Sequence, residues 1–203
     1  MLQAWNAQTA AAFDLKFAAR LIYCFAVKSD LLFAGCQNGH ILVWWDSSPS
    51  SPPQLITSLE GHTSVVVSMV VGANRLFTGS LDGTIRVWDI DTLGSITAFK
   101  VWAGSSPGAR TLKVVYSRNE ENGVLALNGV YDMERNPILL ASCNDDTVHM
   151  YELPTFVEKG KIFSNSEVRV VQVAESCPIF FTGDGSGILK VWKVTGVLKE
   201  YVL

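Results

Sequence analysis

A pattern of fourteen residues is written four times without gaps in this chain, and that repetition limits the fold more than any other feature. The copies are LLFAGCQNGHILVW (31–44), RLFTGSLDGTIRVW (75–88), ILLASCNDDTVHMY (138–151) and IFFTGDGSGILKVW (179–192). Each has an apolar run, two or three small residues, a polar turn and an alternating run that ends in an aromatic residue. The period of two predicts strands, and Asp82-Gly83 supplies turn chemistry, because glycine accepts positive φ and aspartate bonds its own backbone. The copies begin at residues 31, 75, 138 and 179, intervals of 44, 63 and 41. Intervals of about 40–45 residues with four strands per unit are the mark of propeller blades.

The other strands fall where blades require them. A first strand is expected at 21–27, 64–71, 123–130 and 168–174, and a fourth at 54–59, 95–100 and, more weakly, 161–163. The best helical periodicity, 6–20, is short and lacks a cap. Two loops rich in Pro, Gly and Ser, 46–53 and 103–110, separate strands. The expected fold class is all-β, a single propeller domain over 1–203. It divides into a partial blade (1–20), blades at 21–60 and 61–100, a shortened remnant (101–117), and blades at 118–165 and 166–203.

Composition narrows the function. Apolar residues make up 48% of the chain, enough for a core. A net charge of −3 gives no basic footprint for phosphate backbones, so nucleic acid is not expected as a partner of this chain alone. No apolar run reaches the roughly 20 residues of a membrane helix, and the first residues lack the basic-then-apolar order of a signal peptide. Cys24, Cys36, Cys143 and Cys177 are widely spaced, which suits reduced thiols in a nuclear or cytoplasmic protein. Cys36 and His40 have C-x3-H spacing, but they lie on a repeat hairpin without further cysteines at finger spacing, so no metal or other cofactor is expected.

Gly61-His62 before a first strand and Trp88-Asp89 at the end of a third resemble the WD40-repeat signature. The resemblance implies a buried hydrogen-bonded set of His62, Thr78, Asp82 and Trp88, a structural tetrad rather than a catalytic one. The repeat-closing aromatics elsewhere are Trp5, Trp44, Trp102, Tyr151 and Trp192. The first unit has Ala34 and Asn38 in place of Thr78 and Asp82. The third has Ala141 and Asp145, the fourth Thr182 and Ser186, and none of the three has Gly-His before its first strand. Packing between blades is therefore expected to carry more of their stability.

Three further stretches, RNEENGVLAL (118–127), FTGDG (181–185) and VVGANR (70–75), resemble the propeller of plant proteins that combine CCCH zinc fingers with WD40 repeats. The likeness covers nearly the whole chain; members of that family carry RNA-type fingers before a propeller of about seven blades. Two intervals depart from it. Trp102 follows Trp88 by only 14 residues, too few for four strands of about five residues each, and 111–117 reads as the fourth strand of the same curtailed unit. About 30 residues carrying three strands are thus expected to be missing from an ancestral array, through splicing, gene loss or a faulty gene model. Gln3-Ala4-Trp5 likewise resembles a third strand without its first two. The expectation is an incomplete propeller of about four full blades and two partial ones.

The expected function is a non-enzymatic protein-interaction scaffold whose partners are other proteins, with no membrane. The residue before the turn Asp faces partners in WD40 proteins, which points to Gln37, Leu81, Asn144 and Gly185. The alternatives are RNA or DNA regulation through fingers outside this chain, or a substrate receptor of a cullin-type ubiquitin ligase. The latter needs Trp-Asp-x-Arg, and the chain has Trp88-Asp89-Ile90-Asp91. Enzymatic readings are weak. Gly183 to Gly187 is Gly-rich but lacks the Lys-Ser/Thr of a phosphate loop, and the acidic pair in 119–122 reads as a solvated loop. His149 reads as a surface residue on an alternating strand.

Overall fold

The structure, a computed structural model, describes residues 2–5, 10, 12–15, 21–46, 51–90, 114–174, 177–194 and 199–201. The described residues form strands and turns throughout. A short pair, β1 (Leu2–Trp5) and β2 (Ala12–Leu15), comes first. Four antiparallel sheets follow. The first contains β3 (Ile22–Lys28), β4 (Leu31–Cys36), β5 (Ile41–Trp45) and β6 (Gln54–Leu59). The second contains β7 (Val66–Gly72), β8 (Arg75–Ser80), β9 (Thr84–Asp89) and β10 (Val114–Asn119). The third contains β11 (Val124–Tyr131), β12 (Pro137–Cys143), β13 (Thr147–Glu152) and β14 (Val157–Phe163). The fourth contains β15 (Val168–Val173), β16 (Ile179–Asp184), β17 (Leu189–Lys193) and β18 (Lys199–Tyr201). Within each sheet the strands neighbour one another in chain order, as in a meander.

Each of the four written copies is therefore the central hairpin of a sheet, β4–β5, β8–β9, β12–β13 and β16–β17. The hairpin turns explain the residue types. Gly39, Gly83 and Gly187 take φ of 84°, 77° and 87°, and Asp146 takes 63° at the same point of the third sheet. Asp is one of the few side chains that enter this region at modest cost.

The sheets stack side by side, and the same repeat positions make each interface. Phe33, Ile41 and Val43 of the first sheet pack with Leu76 and Trp88 of the second. Phe77, Ile85 and Val87 of the second meet Leu139 and Tyr151 of the third. Leu140, Val148 and Met150 of the third meet Phe180 and Trp192 of the fourth. Leu15 of the short pair covers Ala34, Leu42 and Trp44. Burying a large apolar side chain contributes roughly 1.5–3 kcal/mol, so these interfaces hold the array together. On the outward face of the fourth sheet the equivalent Leu189 is 65% exposed.

Several expectations need revision. Residues 12–15, within the stretch whose helical periodicity is too short to support a helix, form β2, with Ala4 and Phe13 facing across the pair. Trp5 is the last residue of β1 and is 65% exposed. The weak strand at 161–163 is a full strand beginning at Val157. The run assigned to a curtailed unit, 111–117, overlaps β10, which pairs with β9 from Val114↔Trp88 to Asn119↔Thr84 and is the outer strand of the second sheet. The expected strand at 95–100 and the closing Trp102 lie outside the described residues.

Candidate functional site

The second sheet carries the fullest polar chain. His62 stands four residues before β7, and its Nε2 lies 2.7 Å from Thr78 Oγ1 at the centre of β8. Trp88 Nε1 donates to the same hydroxyl at 3.0 Å. On the other side His62 Nδ1 lies 3.0 Å from Asp82 Oδ2 and 3.0 Å from Thr84 Oγ1. The indole can only donate, so Thr78 accepts from Trp88; in the neutral imidazole with Nδ1–H directed to Asp82, the Thr78 hydroxyl donates to Nε2. Burial lowers the His62 pKa below the ordinary histidine value, more than the Asp82 carboxylate raises it. Burial also raises the Asp82 pKa, yet bonds from the Thr84 hydroxyl and the Thr63 N–H, together with His62, bring it below the usual carboxylate range.

The third sheet builds a different chain at the same place. Glu120 stands four residues before β11, where His62 stands before β7, and it is only 7% exposed. Its Oε1 accepts from Tyr151 Oη and from Arg118 Nε, both at 2.8 Å. The Arg118 guanidinium lies 4.2 Å over the Tyr151 ring, and the His149 ring stacks against Tyr151 with centroids 5.8 Å apart. Burial raises the Tyr151 pKa, and the bond to Glu120 and its charge raise it further. Burial likewise pushes the Cys143 thiol up to about 12. Asp145 keeps its turn duty, accepting from Thr147 Oγ1 at 2.6 Å and Asn122 Nδ2 at 3.0 Å.

This corrects two readings. The acidic run is not uniformly solvated, since Glu120 is buried, and His149 is 6% exposed rather than on the surface. The signal that finds Glu120 is its offset from the first strand, not its residue type. Sequence reasoning also missed Arg118, which β10 of the second sheet lends to the third. The fourth sheet retains less of the chain. Trp192 Nε1 donates to Thr182 Oγ1 at 2.9 Å, but Ser164, at the His62 position, donates to Asp184 instead. In the first sheet Ala34 offers no hydroxyl, and Trp44 is buried in apolar packing. The C-x3-H pair separates: Cys36 Sγ is directed to the Ala34 carbonyl, and His40 Nδ1 lies 3.0 Å from Ser58 Oγ.

The four residues expected to face partners occupy one structural position. Gln37, Leu81, Asn144 and Gly185 each follow the second strand of a sheet, and all four are exposed. Each is pinned by the same backbone bond. Their N–H groups donate to the carbonyls of Leu21, Val65, Gly123 and Glu167 at 2.9–3.0 Å. Leu81 and Asn144 flank one glycine. A Cβ on Gly123 would lie 3.3 Å from Leu81 Cα and 3.4 Å from Asn144 Nδ2. The two side chains thus form a contiguous patch across the boundary of the second and third sheets. At the opposite end of these sheets a cavity of about 640 Å³ opens among Val70, Phe77, Tyr116, Val130 and Phe156. Its walls are mainly apolar.

Comparisons with known proteins agree with this architecture. Residues 53–89 match the family described as WD domain, G-beta repeat. Zinc finger CCCH domain-containing protein 17 of Oryza sativa subsp. japonica is 42% identical over 95% of this chain and 49% of its own length. Zinc finger CCCH domain-containing protein 48 of Arabidopsis thaliana is 43% identical over 95% of this chain and 50% of its own length. The chain spans about half the length of the curated relatives it matches. Among solved structures, the computationally designed Ika8 protein superposes with a TM-score of 0.73 at 22% identity, over 98% of this chain and 55% of that one, which supports the fold.

Proposed function

Because this chain belongs to the family of plant CCCH zinc finger proteins and spans its WD40-repeat part, we propose that it is a non-enzymatic protein-interaction scaffold that captures partners on the Leu81–Asn144 patch. The observation that carries the reading is the fourfold placement of Gln37, Leu81, Asn144 and Gly185 on turns pinned by one recurring backbone bond. Rigid sheets that present exposed loop residues pre-organise a binding surface and reduce the ordering entropy of association. Leu81 is 42% exposed beside a polar amide, a pairing of apolar anchor and hydrogen-bonding group suited to a protein surface. In the longer relatives such a scaffold would act as an adaptor beside the finger region. The reduced cysteines suit a nuclear or cytoplasmic setting.

Affinity capture from plant extract tests the reading, comparing the wild-type chain with Leu81→Asp/Asn144→Lys. Loss of specific partners from the double variant is the expected result. An unchanged partner set would refute this face. Parallel filter binding to RNA at several salt concentrations separates the scaffold from a nucleic-acid reader, because tight, steeply salt-dependent binding would favour the latter.

A further inference from the structure

The polar chain of the third sheet leaves one group unused. His149 Nδ1 is shielded from solvent and has no hydrogen-bond partner. It faces Glu120 Oε2 at 4.0 Å and Glu158 Oε1 at 3.8 Å, both too far for a hydrogen bond. Cys143 completes the group: donor atoms of Glu120, Cys143 and His149 all lie within 4.8 Å of one another, and all three residues are buried. A buried imidazole nitrogen with no partner is destabilising, and in a native structure it calls for an explanation such as a bound ion.

We propose that Glu120, Cys143 and His149 form a metal site for a zinc-like divalent cation, with Glu158 or water in the fourth position. The donor set of one sulfur, one imidazole nitrogen and one carboxylate oxygen suits zinc over calcium or magnesium, which take oxygen ligands. Zinc binds nitrogen and oxygen at about 2.0–2.2 Å, so the 4.0 Å gap between Nδ1 and Oε2 is of the right order and closes by small side-chain rotations. Glu120 is already divided for this task. Its Oε1 takes the bonds from Tyr151 and Arg118, while Oε2 is the oxygen facing His149. Tyr151 and Arg118 then orient the ligand from outside the coordination sphere. The positive charge of Arg118 opposes a cation, so the thiolate has to supply much of the affinity. On binding, the Cys143 S–H proton leaves to solvent as the sulfur–metal bond forms, with no change of oxidation state.

The repeat isolates the feature. At the positions of Glu120, Cys143 and His149, the second sheet has His62, Ser80 and Arg86, and the fourth has Ser164, Asp184 and Lys190. Cys143→Ser and His149→Arg therefore install residues that this architecture already accepts.

The test titrates the chelator-treated full chain with Zn²⁺, and with Co²⁺ as a spectroscopic probe. The expected result is one saturable equivalent, a thiolate-to-cobalt absorption band and a higher unfolding temperature with zinc. Cys143→Ser and His149→Arg should each weaken zinc binding by more than about tenfold. Cys177→Ser, at an exposed cysteine, should leave binding unchanged. Absence of the cobalt–thiolate band in the wild-type chain overturns the proposal whatever the variants do. So does zinc binding that Cys143→Ser leaves unaltered. Where His149→Arg fails to fold, His149→Gln supplies the second variant.

Discussion

The second sheet secures its first strand with a histidine that reaches a carboxylate on the hairpin turn, whereas the third puts the carboxylate itself at the point where the second has its histidine, and both carboxylates are shielded from solvent. In the second sheet Trp88, Thr78, His62 and Asp82 are linked in series. In the third sheet Glu120 accepts from both Tyr151 and Arg118, and the guanidinium is borrowed from β10 of the preceding sheet. The tyrosine hydroxyl bonds Glu120 directly, so no counterpart of Thr78 is needed, and Ala141 fills its place within the core. The difference teaches that a sheet of this array can join its entry loop to its third strand with different residues, through a hydroxyl on the second strand or directly. Satisfied networks of this kind rigidify a core, and half-satisfied ones weaken it.

The largest expected effect comes from Thr78→Val, which leaves His62 Nε2 and Trp88 Nε1 unpaired in the core and should lower stability by about 3 kcal/mol in chemical denaturation. Thr182→Val in the fourth sheet breaks only the Trp192 bond and should cost about 1–2 kcal/mol. Equal losses would remove the contrast between full and shortened chains. Next, Glu120→Ala should cost about 2 kcal/mol, below the usual range for breaking a buried pair because the Arg118 side chain is partly exposed to water. A double-mutant cycle with Tyr151→Phe should give a coupling of about 1 kcal/mol, and additive losses would show that the two do not act as a unit.

Acid sharpens the comparison. The folded pKa of His62 is depressed, so its contribution is fully present above its unfolded value of about 6.5 and is lost as pH falls from there toward the folded value. Asp82, also depressed, adds a loss of the same sign below about pH 4. The urea midpoint of the wild-type chain should therefore be lower at pH 5.5 than at pH 7.5, and His62→Gln should flatten that difference. An unchanged slope in the variant would place the titration elsewhere. The smallest effect is reserved for Glu121→Ala, next to Glu120 in sequence but exposed, which should stay within about 0.5 kcal/mol of wild type.

How much of this was legible in the sequence depends on which signal each feature leaves. The four hairpins were readable because period-two strands, small residues and turn residues recur at fixed offsets. The tetrad was readable because all four of its residue types are present at the right spacing. Glu120 was not, because a charged residue within Asn119–Asn122 carries the mark of a solvated loop, and only its distance from β11 gives it away. His149 failed for a related reason. Alternation along a strand separates two faces, but in this stack both faces of an inner sheet pack on neighbours, so neither alternate set need be exposed. The pairing of β10 with β9 was hidden by the residues between Asp89 and Val114, since sequence order suggested a unit of its own.

Native-state hydrogen exchange tests the central claim directly, namely that polar chains joining the entry loop to the third strand anchor the second and third sheets and so hold Leu81 and Asn144 rigid. Amides of β8–β9 and β12–β13 should exchange most slowly, and those of β16–β17, whose chain stops at Thr182 and whose outer face is open at Leu189, should exchange faster. Protection of the fourth sheet equal to that of the second would contradict the account.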